Sequence, residues 1–263
     1  MSAQASARQA GWILAATLLT WIVACLLLPA IPQPQSYHAF ADTRTFAGIA
    51  NFWNVSSNAP ILLAGLLGVV EVMRRRELFI ARSEIWPYAC FFAATALAAL
   101  GSTYYHLAPD DARLLWDRLP IALATAVLPI ALLSDHAGPK VALPLVLPAL
   151  LAGTLSALYW RVSALHGQEN LAPYLLLQLL ALAAIVLLAS RPGRYTRVED
   201  WWTVIGVYVV ARLVEVFDSA IYAAGGMLSG HTLKHLVAAL AAFWVLRMIR
   251  LRRAVPAPAP GNR

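Results

Sequence analysis

The stretch "LAPYLLLQLLALAAIVLLAS", residues 171–190, decides the class of fold. It has no charged residue over twenty positions, and about 20 apolar residues are what an α-helix needs to cross the hydrocarbon core of a bilayer. Lipid offers the backbone no hydrogen-bond partners, so such a run has to pair its own amide groups as a helix. The sequence therefore predicts a membrane-spanning helix here.

Similar apolar runs recur along the chain. Eight candidate spans lie at about residues 11–30, 52–72, 86–106, 117–134, 141–160, 171–190, 201–223 and 231–250. The composition agrees, because 60% of the 263 residues are hydrophobic and 13% are charged, whereas a soluble domain carries about 25% charged residues. We expect an all-α polytopic membrane bundle. The first run, with Arg8 as its only positive flank and no clear cleavage site after it, is expected to be an uncleaved helix rather than a signal peptide.

The basic residues predict the orientation of this bundle. Eight crossings place fourteen of the 20 lysines and arginines on the side of both termini and four on the other side, with two inside spans. The fourteen are Arg8, Arg74, Arg75, Arg76, Arg82, Lys140, Arg191, Arg194, Arg197, Arg247, Arg250, Arg252, Arg253 and Arg263. Positive loops stay in the cytoplasm, so both termini are expected there. The net charge of +7 thus reflects topology, and nucleic acid is not an expected partner.

Polar residues collect at the predicted outer side of two spans. In "GSTYYHLAPDDARLLWDRLP", residues 101–120, Ser102 and His106 are four positions apart and share one helix face, and Asp117 opens the next span. In "SGHTLKH", residues 229–235, the two histidines are again four apart at the start of the last span. The loop charges alone place these groups on one side and at similar depth.

Three neutral imidazoles, two from one helix and one from another, are the protein ligands of a catalytic zinc site that keeps its fourth position for water. We therefore predict zinc ligation by His106, His231 and His235. Zinc lowers the pKa of bound water to about 7. No glutamate follows His231, so Asp117 is the best placed general base, and the Ser102 hydroxyl can donate to a developing oxyanion.

Each of these motifs alone is more often structural. A serine in a membrane helix commonly bonds the carbonyl one turn earlier, and Asp117 can simply pair with the neighbouring Arg118. The metal site is favoured because four groups on three helices share one level.

Other polar residues inside the spans leave two interpretations open. Arg212, Glu215 and Asp218 recur at three-residue spacing, either as a structural Arg212–Glu215 pair or as a surface that supports the site or binds a lipid headgroup. Asp218 is expected to accept a hydrogen bond from an imidazole N–H. Lys234 is expected on a different face, reaching the interface or pairing with an acid. Asn54 is expected to be interhelical glue.

The remaining histidines lie in predicted loops. His38, His136 and His166 are expected to be solvated.

Four motifs together resemble a known family. They are "NFWNVSSN" (51–58), "GSTYYH" (101–106), "WDRLP" (116–120) and "SGHTLKH" (229–235). In this order and spacing they resemble the alkaline ceramidases, and more closely the bacterial relatives, within a superfamily of seven-helix membrane hydrolases that includes the adiponectin-receptor-like proteins. The resemblance spans roughly residues 40 to 245.

The resemblance implies a seven-helix bundle that binds zinc through three histidines and hydrolyses the amide of ceramide to a sphingoid base and a fatty acid. By motif, the zinc ligands would be His106, His231 and His235. Ser102 and Asp117 would complete the centre. The substrate would be ceramide or another N-acyl membrane lipid, and the location the bacterial inner membrane with the site facing outward. The alternative is an adiponectin-receptor-like sensor with little or no turnover.

Two features depart from the family. Asn51 stands where eukaryotic members have an acid, and the segment before it offers only Asp42, so calcium regulation is doubtful. The first helix lies outside the seven. We therefore predict an N-terminal transmembrane helix with its flank (1–33), a seven-helix domain (34–250) and a disordered cytoplasmic tail (251–263).

Overall fold

Ten α-helices account for most of residues 3–256, the part of the chain that the computed structural model describes. They are α1 (Ala3–Leu27), α2 (Phe52–Ser56), α3 (Ala59–Arg74), α4 (Ile85–Leu107), α5 (Asp111–Ala137), α6 (Pro139–Leu165), α7 (Ala172–Ala189), α8 (Asp200–Val216), α9 (Asp218–Gly225) and α10 (Gly230–Leu251). No β-strand forms within this range. The prediction of an all-α fold is confirmed.

Six helical segments of the described chain are long and apolar enough to cross a membrane. They are Phe52–Arg74, Arg82–Leu107, Asp111–Ala137, Pro139–Leu165, Ala172–Ala189 and Gly230–Leu251. The protein is therefore an integral membrane protein. The apolar part of α1, Ala15–Leu27, and each helix of the α8–α9 pair taken singly are shorter than these six, so the structure leaves the predicted count of seven plus one undecided.

The seventh predicted span is interrupted. A single helix was expected over residues 201–223, but α8 ends at Val216 and α9 starts at Asp218. The start of α10 presses on this break, because a Cβ built on Gly230 would lie 2.0 Å from the Val214 carbonyl oxygen and 2.7 Å from Asp218 Cα. Side-chain pattern alone could not show this close contact between distant segments.

The helices α4, α5 and α10 determine where the site lies. α5 packs against α4, α6 and α7, whereas α10 packs against α3 and α8. α1 lies on the outside against α5 and α7, held by a hydrogen bond from the Trp21 indole N–H to the Pro173 carbonyl (2.9 Å). α4 ends at the end of the bundle where α5 and α10 begin. We call this the histidine end, and the other the opposite end.

Two glycines allow close helix packing at the histidine end. A Cβ on Gly101 would lie 1.9 Å from the Trp116 carbonyl oxygen. The backbones of α4 and α5 are therefore closer at this glycine than any residue with a side chain would allow. Gly230 brings α10 against α8 in the same way. Each glycine directly precedes a predicted site residue, Ser102 or His231. Small residues at membrane helix contacts let backbones approach closely, and here they set the depth of the site.

A buried polar network closes the opposite end. The Asp135 carboxylate accepts hydrogen bonds from the Tyr88 hydroxyl (2.6 Å) and from the Arg252 guanidinium. His136 is buried as well, with Nδ1 2.9 Å from the Leu132 carbonyl oxygen and Nε2 3.2 Å from that of Arg191. The expectation of a solvated His136 was wrong, since its position near a helix end did not show which segments pack over it.

The chain after α10 is partly ordered. Arg252 is buried, and the main chain of residues 253–255 exchanges hydrogen bonds with residues 194–196. The tail was expected to be disordered from residue 251. Residues 251–256 are instead ordered, because Arg252 forms an ion pair with the buried Asp135 carboxylate. Residues 257–263 of the predicted tail lie outside the described range.

Replacing Asp135 by Asn should destabilise the protein strongly, because it leaves the buried Arg252 charge without its carboxylate. Breaking a buried ion pair costs about 3–5 kcal/mol, so the apparent unfolding temperature in detergent should fall by about 10 °C or more. The control is Glu71→Gln, because the arginines that Glu71 pairs with, Arg75 and Arg250, are exposed; its effect should be small. Equal effects of the two substitutions would contradict this role.

Candidate metal centre

Three histidines from two helices meet at the histidine end. His106 comes from the last turn of α4, and His231 and His235 from the first turns of α10. Their side chains are buried, with relative exposures of 1%, 5% and 4%. One ring nitrogen of each lies within 4.8 Å of the others. The structure thus brings together the three residues that the sequence predicted as ligands.

The spacing of the nitrogens fits a tetrahedral metal ion. His106 Nε2 and His231 Nε2 are 3.2 Å apart. Two nitrogens each about 2.0–2.1 Å from a tetrahedral zinc lie about 3.3 Å apart. Neutral imidazole nitrogens in this arrangement suit zinc and other borderline transition metals. The donor set therefore fits a divalent metal.

Ser57 fixes which nitrogen of His235 is free. The Ser57 hydroxyl donates to the main-chain oxygen of Asn54 (3.2 Å) and lies 2.8 Å from His235 Nδ1. Because the hydroxyl proton is already used, the serine oxygen accepts from Nδ1–H, and Nε2 keeps its lone pair for an ion. Hydrogen bonds of this kind orient metal-binding histidines.

The role of Ser57 was missed in the sequence. It belongs to the polar stretch "NFWNVSSN", but its partner is 178 positions away. Asn54, in the same stretch, is fully buried and accepts a hydrogen bond from the Thr232 hydroxyl (2.8 Å). Asn54 thus joins α2 to α10, as expected of interhelical glue.

The loop before α2 covers the centre. The Phe40 ring packs edge-on against His106 and His231, with centroid distances of 4.7 and 4.6 Å. Asp218 holds this loop to α10, since its carboxylate accepts the main-chain N–H groups of Ala41 (2.9 Å) and His231 (2.7 Å). Asp218 was expected to bond an imidazole; in the structure its partners are backbone amides, which the sequence could not identify.

A second tie closes the same loop. The guanidinium of Arg44 binds both carboxylate oxygens of Asp42 and also donates to the Met227 carbonyl (2.6 Å) after α9. This pairing holds the pKa of the Asp42 carboxyl below its ordinary value. His38, expected to be solvated, lies between Tyr105 and Asp111, 2.9 and 3.0 Å away. The loop is therefore fastened at several points.

Ser102 and Asp117 lie beside the three histidines. Both side chains are buried, and the Asp117 carboxylate interacts with the Ser102 hydroxyl. They line a cavity of about 570 Å³ together with His235. This places a carboxylate and a hydroxyl on the same cavity wall as one of the three histidines.

The cavity changes from polar to apolar with depth. Its deeper wall includes Phe91, Ile185 and Val245. Val245 is ten residues beyond His235 on α10, which corresponds to about 15 Å at 1.5 Å per residue. The volume is in the range of small-molecule sites, and the shape suits a molecule with a polar group at the histidine end and an apolar chain along the bundle.

Lys234 lies on the cavity wall, where it was not expected. Its ammonium is 2.9 Å from Glu215 Oε1 and 3.0 Å from His231 Nε2. Since an ammonium can only donate, this His231 nitrogen is the acceptor, and its one lone pair serves either the ammonium or a metal ion, so metal binding requires Lys234 to turn away from it. The prediction that Lys234 pairs with an acid is confirmed. Arg212 also pairs with Glu215, so the structural pair is formed and borders the cavity.

The remaining histidine, His166, lies away from the three clustered histidines. His166 is exposed, as expected, and its Nδ1 contacts the Val162 carbonyl of its own helix. Within the described residues the three histidines are the one group of three or more metal-binding side chains that can share an ion.

The family model described as Ceramidase matches residues 43–256, most of the chain. The chain belongs to the ceramidase family. A separate search of curated proteins found no match. The matched range contains α2 to α10 and all three histidines, and α1 precedes it. The ceramidase resemblance is thus confirmed, and it supports a membrane enzyme that hydrolyses the amide bond of ceramide.

Ser57→Ala should weaken binding of added Zn²⁺ by about 10- to 100-fold, because His235 loses the partner that orients its ring. Zinc affinity is measured by competition with a chromophoric chelator. The control is Ser56→Ala, which removes a hydroxyl bonded within its own helix to the Trp53 carbonyl. Unchanged zinc affinity in the folded Ser57 variant would contradict this role.

Proposed function

We propose that the protein is an integral membrane, zinc-dependent amidohydrolase. Its substrate is ceramide or a related N-acyl lipid, and its products are a free fatty acid and an amine base. The observation that carries the proposal is the position of the buried histidine cluster at the polar end of an apolar cavity. Membership of the ceramidase family supports the reaction class.

The three histidines, His106, His231 and His235, would hold the metal through imidazole nitrogens. Bound zinc supplies a Lewis acid for the amide carbonyl and makes hydroxide available near neutral pH. Burial of the cluster and the cover of Phe40 exclude bulk water, which strengthens electrostatic interactions at the reacting carbonyl.

Asp117 and Ser102 handle the proton and the developing charge. The Asp117 carboxylate accepts a proton from the attacking water and passes it to the nitrogen as the carbon–nitrogen bond breaks. The Ser102 hydroxyl donates to the carbonyl oxygen while that oxygen carries negative charge. Water's oxygen ends in the fatty acid, and the amine leaves with the proton. The position of both side chains on the wall of one cavity, together with the electrostatic interaction between them, supports this division of roles.

The acyl chain lies in the deep part of the cavity. Phe91, Ile185 and Val245 offer it an apolar wall, and lipid enters sideways from the membrane. Glu215 balances the charges of Lys234 and Arg212 at the edge of the cavity. Arg212, Glu215 and Asp218 thus support the site, the first two by charge and Asp218 by holding the covering loop.

The proposed membrane topology has eight crossings, with α1 and the α8–α9 pair added to the six long spans. Both termini are cytoplasmic and the site faces outward in the bacterial inner membrane. The excess of basic residues on the side of the termini supports this orientation.

His231→Ala should remove both zinc and hydrolysis. Loss of a metal that contributes several kcal/mol to the barrier lowers kcat/KM by at least about 1,000-fold. Zinc is measured by atomic absorption and hydrolysis by the fatty acid released from C16-ceramide. The control is His166→Ala, at an exposed histidine, which should retain both. Undiminished hydrolysis by a metal-free preparation would rule out this mechanism.

The substitution Asp117→Asn should show whether the protein is an enzyme or a sensor in which zinc is only structural. The amide cannot take the proton, so kcat should fall by about 100- to 10,000-fold while zinc content and unfolding temperature are retained. Glu77→Gln, at an exposed carboxylate in the segment between α3 and α4 at the opposite end, is the control. A full-rate Asp117 variant would contradict the assignment, and a wild type that binds zinc and lipid without turnover would favour the adiponectin-receptor-like alternative.

A further inference from the structure

Arg118 is a buried cation without a carboxylate partner. Its relative exposure is 4%, and no carboxylate oxygen of the described residues lies within 4.0 Å of its guanidinium. One terminal nitrogen, Nη2, donates to the side-chain oxygen of Gln33, and the other, Nη1, has no hydrogen-bond partner. Arginine stays charged in proteins, and an unpaired buried charge is costly.

Aromatic rings hold this guanidinium in place. It lies 4.2 Å from the centroid of Trp160, 5.3 Å from Tyr37 and 5.4 Å from Tyr174. Ring faces attract a cation by their quadrupole and do not cancel its charge. The side chain is therefore fixed in direction and keeps its capacity to bind an anion.

The neighbouring acid does not form a close ion pair with this cation. Asp117 precedes Arg118 in sequence and interacts electrostatically with it and with Ser102, but neither Asp117 oxygen lies within 4.0 Å of the guanidinium. The other two cations that line the cavity, Lys234 and Arg212, share Glu215. Arg118 is thus distinguished from both because no carboxylate of the described chain is in direct contact with it.

Arg118 lines the same cavity as the proposed catalytic residues. Gln33, Tyr37 and Tyr174 belong to that wall too. Gln33 and Tyr37 come from the segment between α1 and α2, which lies at the histidine end, whereas the apolar wall lies deeper. With the acyl chain in the deep part, the group that meets Arg118 belongs to the amine part of the substrate.

We propose that Arg118 binds an anionic oxygen group, a carboxylate or a phosphate, on the amine part of the lipid, so that anionic N-acyl lipids are preferred over neutral ceramide. This inference rests on the proposed amidohydrolase function and names its substrate class. A guanidinium presents a planar set of donors that matches both groups, and the free Nη1 is the donor that such a group would satisfy.

The test compares three substrates with one acyl chain. Zinc-loaded protein in detergent is assayed with N-palmitoylglycine, N-palmitoylethanolamine phosphate and neutral N-palmitoylethanolamine. Wild type should show a kcat/KM at least about 10-fold higher for one or both anionic lipids, and the two anions distinguish carboxylate from phosphate. In Arg118→Gln this preference should fall by about 10- to 100-fold, the range of a lost charge-assisted hydrogen bond.

Two further variants control for charge and for folding. Arg113→Gln removes a positive charge one turn earlier on α5, where the arginine faces Tyr104 and Asp110, and it should leave the preference unchanged. Arg118→Lys keeps the positive charge but lacks the planar set of guanidinium donors, and it should give an intermediate preference for the anionic lipids. An unchanged preference in folded Arg118→Gln, or a wild type that favours the neutral lipid, would overturn the proposal.

A binding measurement separates this proposal from the proposed reaction. If neither these three lipids nor C16-ceramide is hydrolysed, the amidohydrolase function fails, and the anion site is still tested by thermal shift with hexadecyl phosphate and hexadecanol. Hexadecyl phosphate should stabilise wild type more than it stabilises Arg118→Gln, whereas hexadecanol should stabilise both alike. Equal stabilisation of the two proteins by hexadecyl phosphate would reject the anion site.

Discussion

The approach of α4 and α10 at one end of the bundle is the contact on which the rest of the structure depends. It brings His106 to within 3.2 Å of His231, nitrogen to nitrogen. This approach needs the glycine before His231, the loop that Asp218 fastens, and the Ser57 hydroxyl that orients His235. One ring nitrogen of each of the three histidines lies within 4.8 Å of the others, and three imidazoles are the protein ligands of a catalytic zinc site.

The two ends of the bundle use buried polar groups differently. At the opposite end, Asp135 pairs with Arg252 and accepts from Tyr88, which holds the chain after α10 in place. At the histidine end, the groups on the cavity wall retain free capacity. Arg118 has an unpaired donor, and the Ser102–Asp117 pair faces open space. The difference lies in the charge balance: buried Arg252 has the Asp135 carboxylate beside it, whereas buried Arg118 has no carboxylate in direct contact and borders a cavity, which indicates where a ligand binds.

Sequence reasoning reached the class of fold from local pattern, and it reached the histidine cluster from local pattern together with the orientation that the loop charges predict. Apolar length predicts helices in lipid, and i, i+4 spacing predicts a shared face. It failed where the deciding contact joins distant segments. Ser57 gave no local sign of facing His235, Lys234 was placed on the wrong face, His136 proved buried, and the break at Phe217 depends on packing against α10.

X-ray absorption at the zinc edge of the purified, zinc-loaded protein tests the central claim most directly. Coordination by the three imidazoles predicts nitrogen scatterers at about 2.0–2.1 Å, multiple scattering from the rings, and one further light ligand in a tetrahedral shell. The imidazole signal should disappear when all three histidines are replaced by alanine. A shell of six oxygens, a sulfur scatterer, or a spectrum unchanged by those replacements would contradict the account.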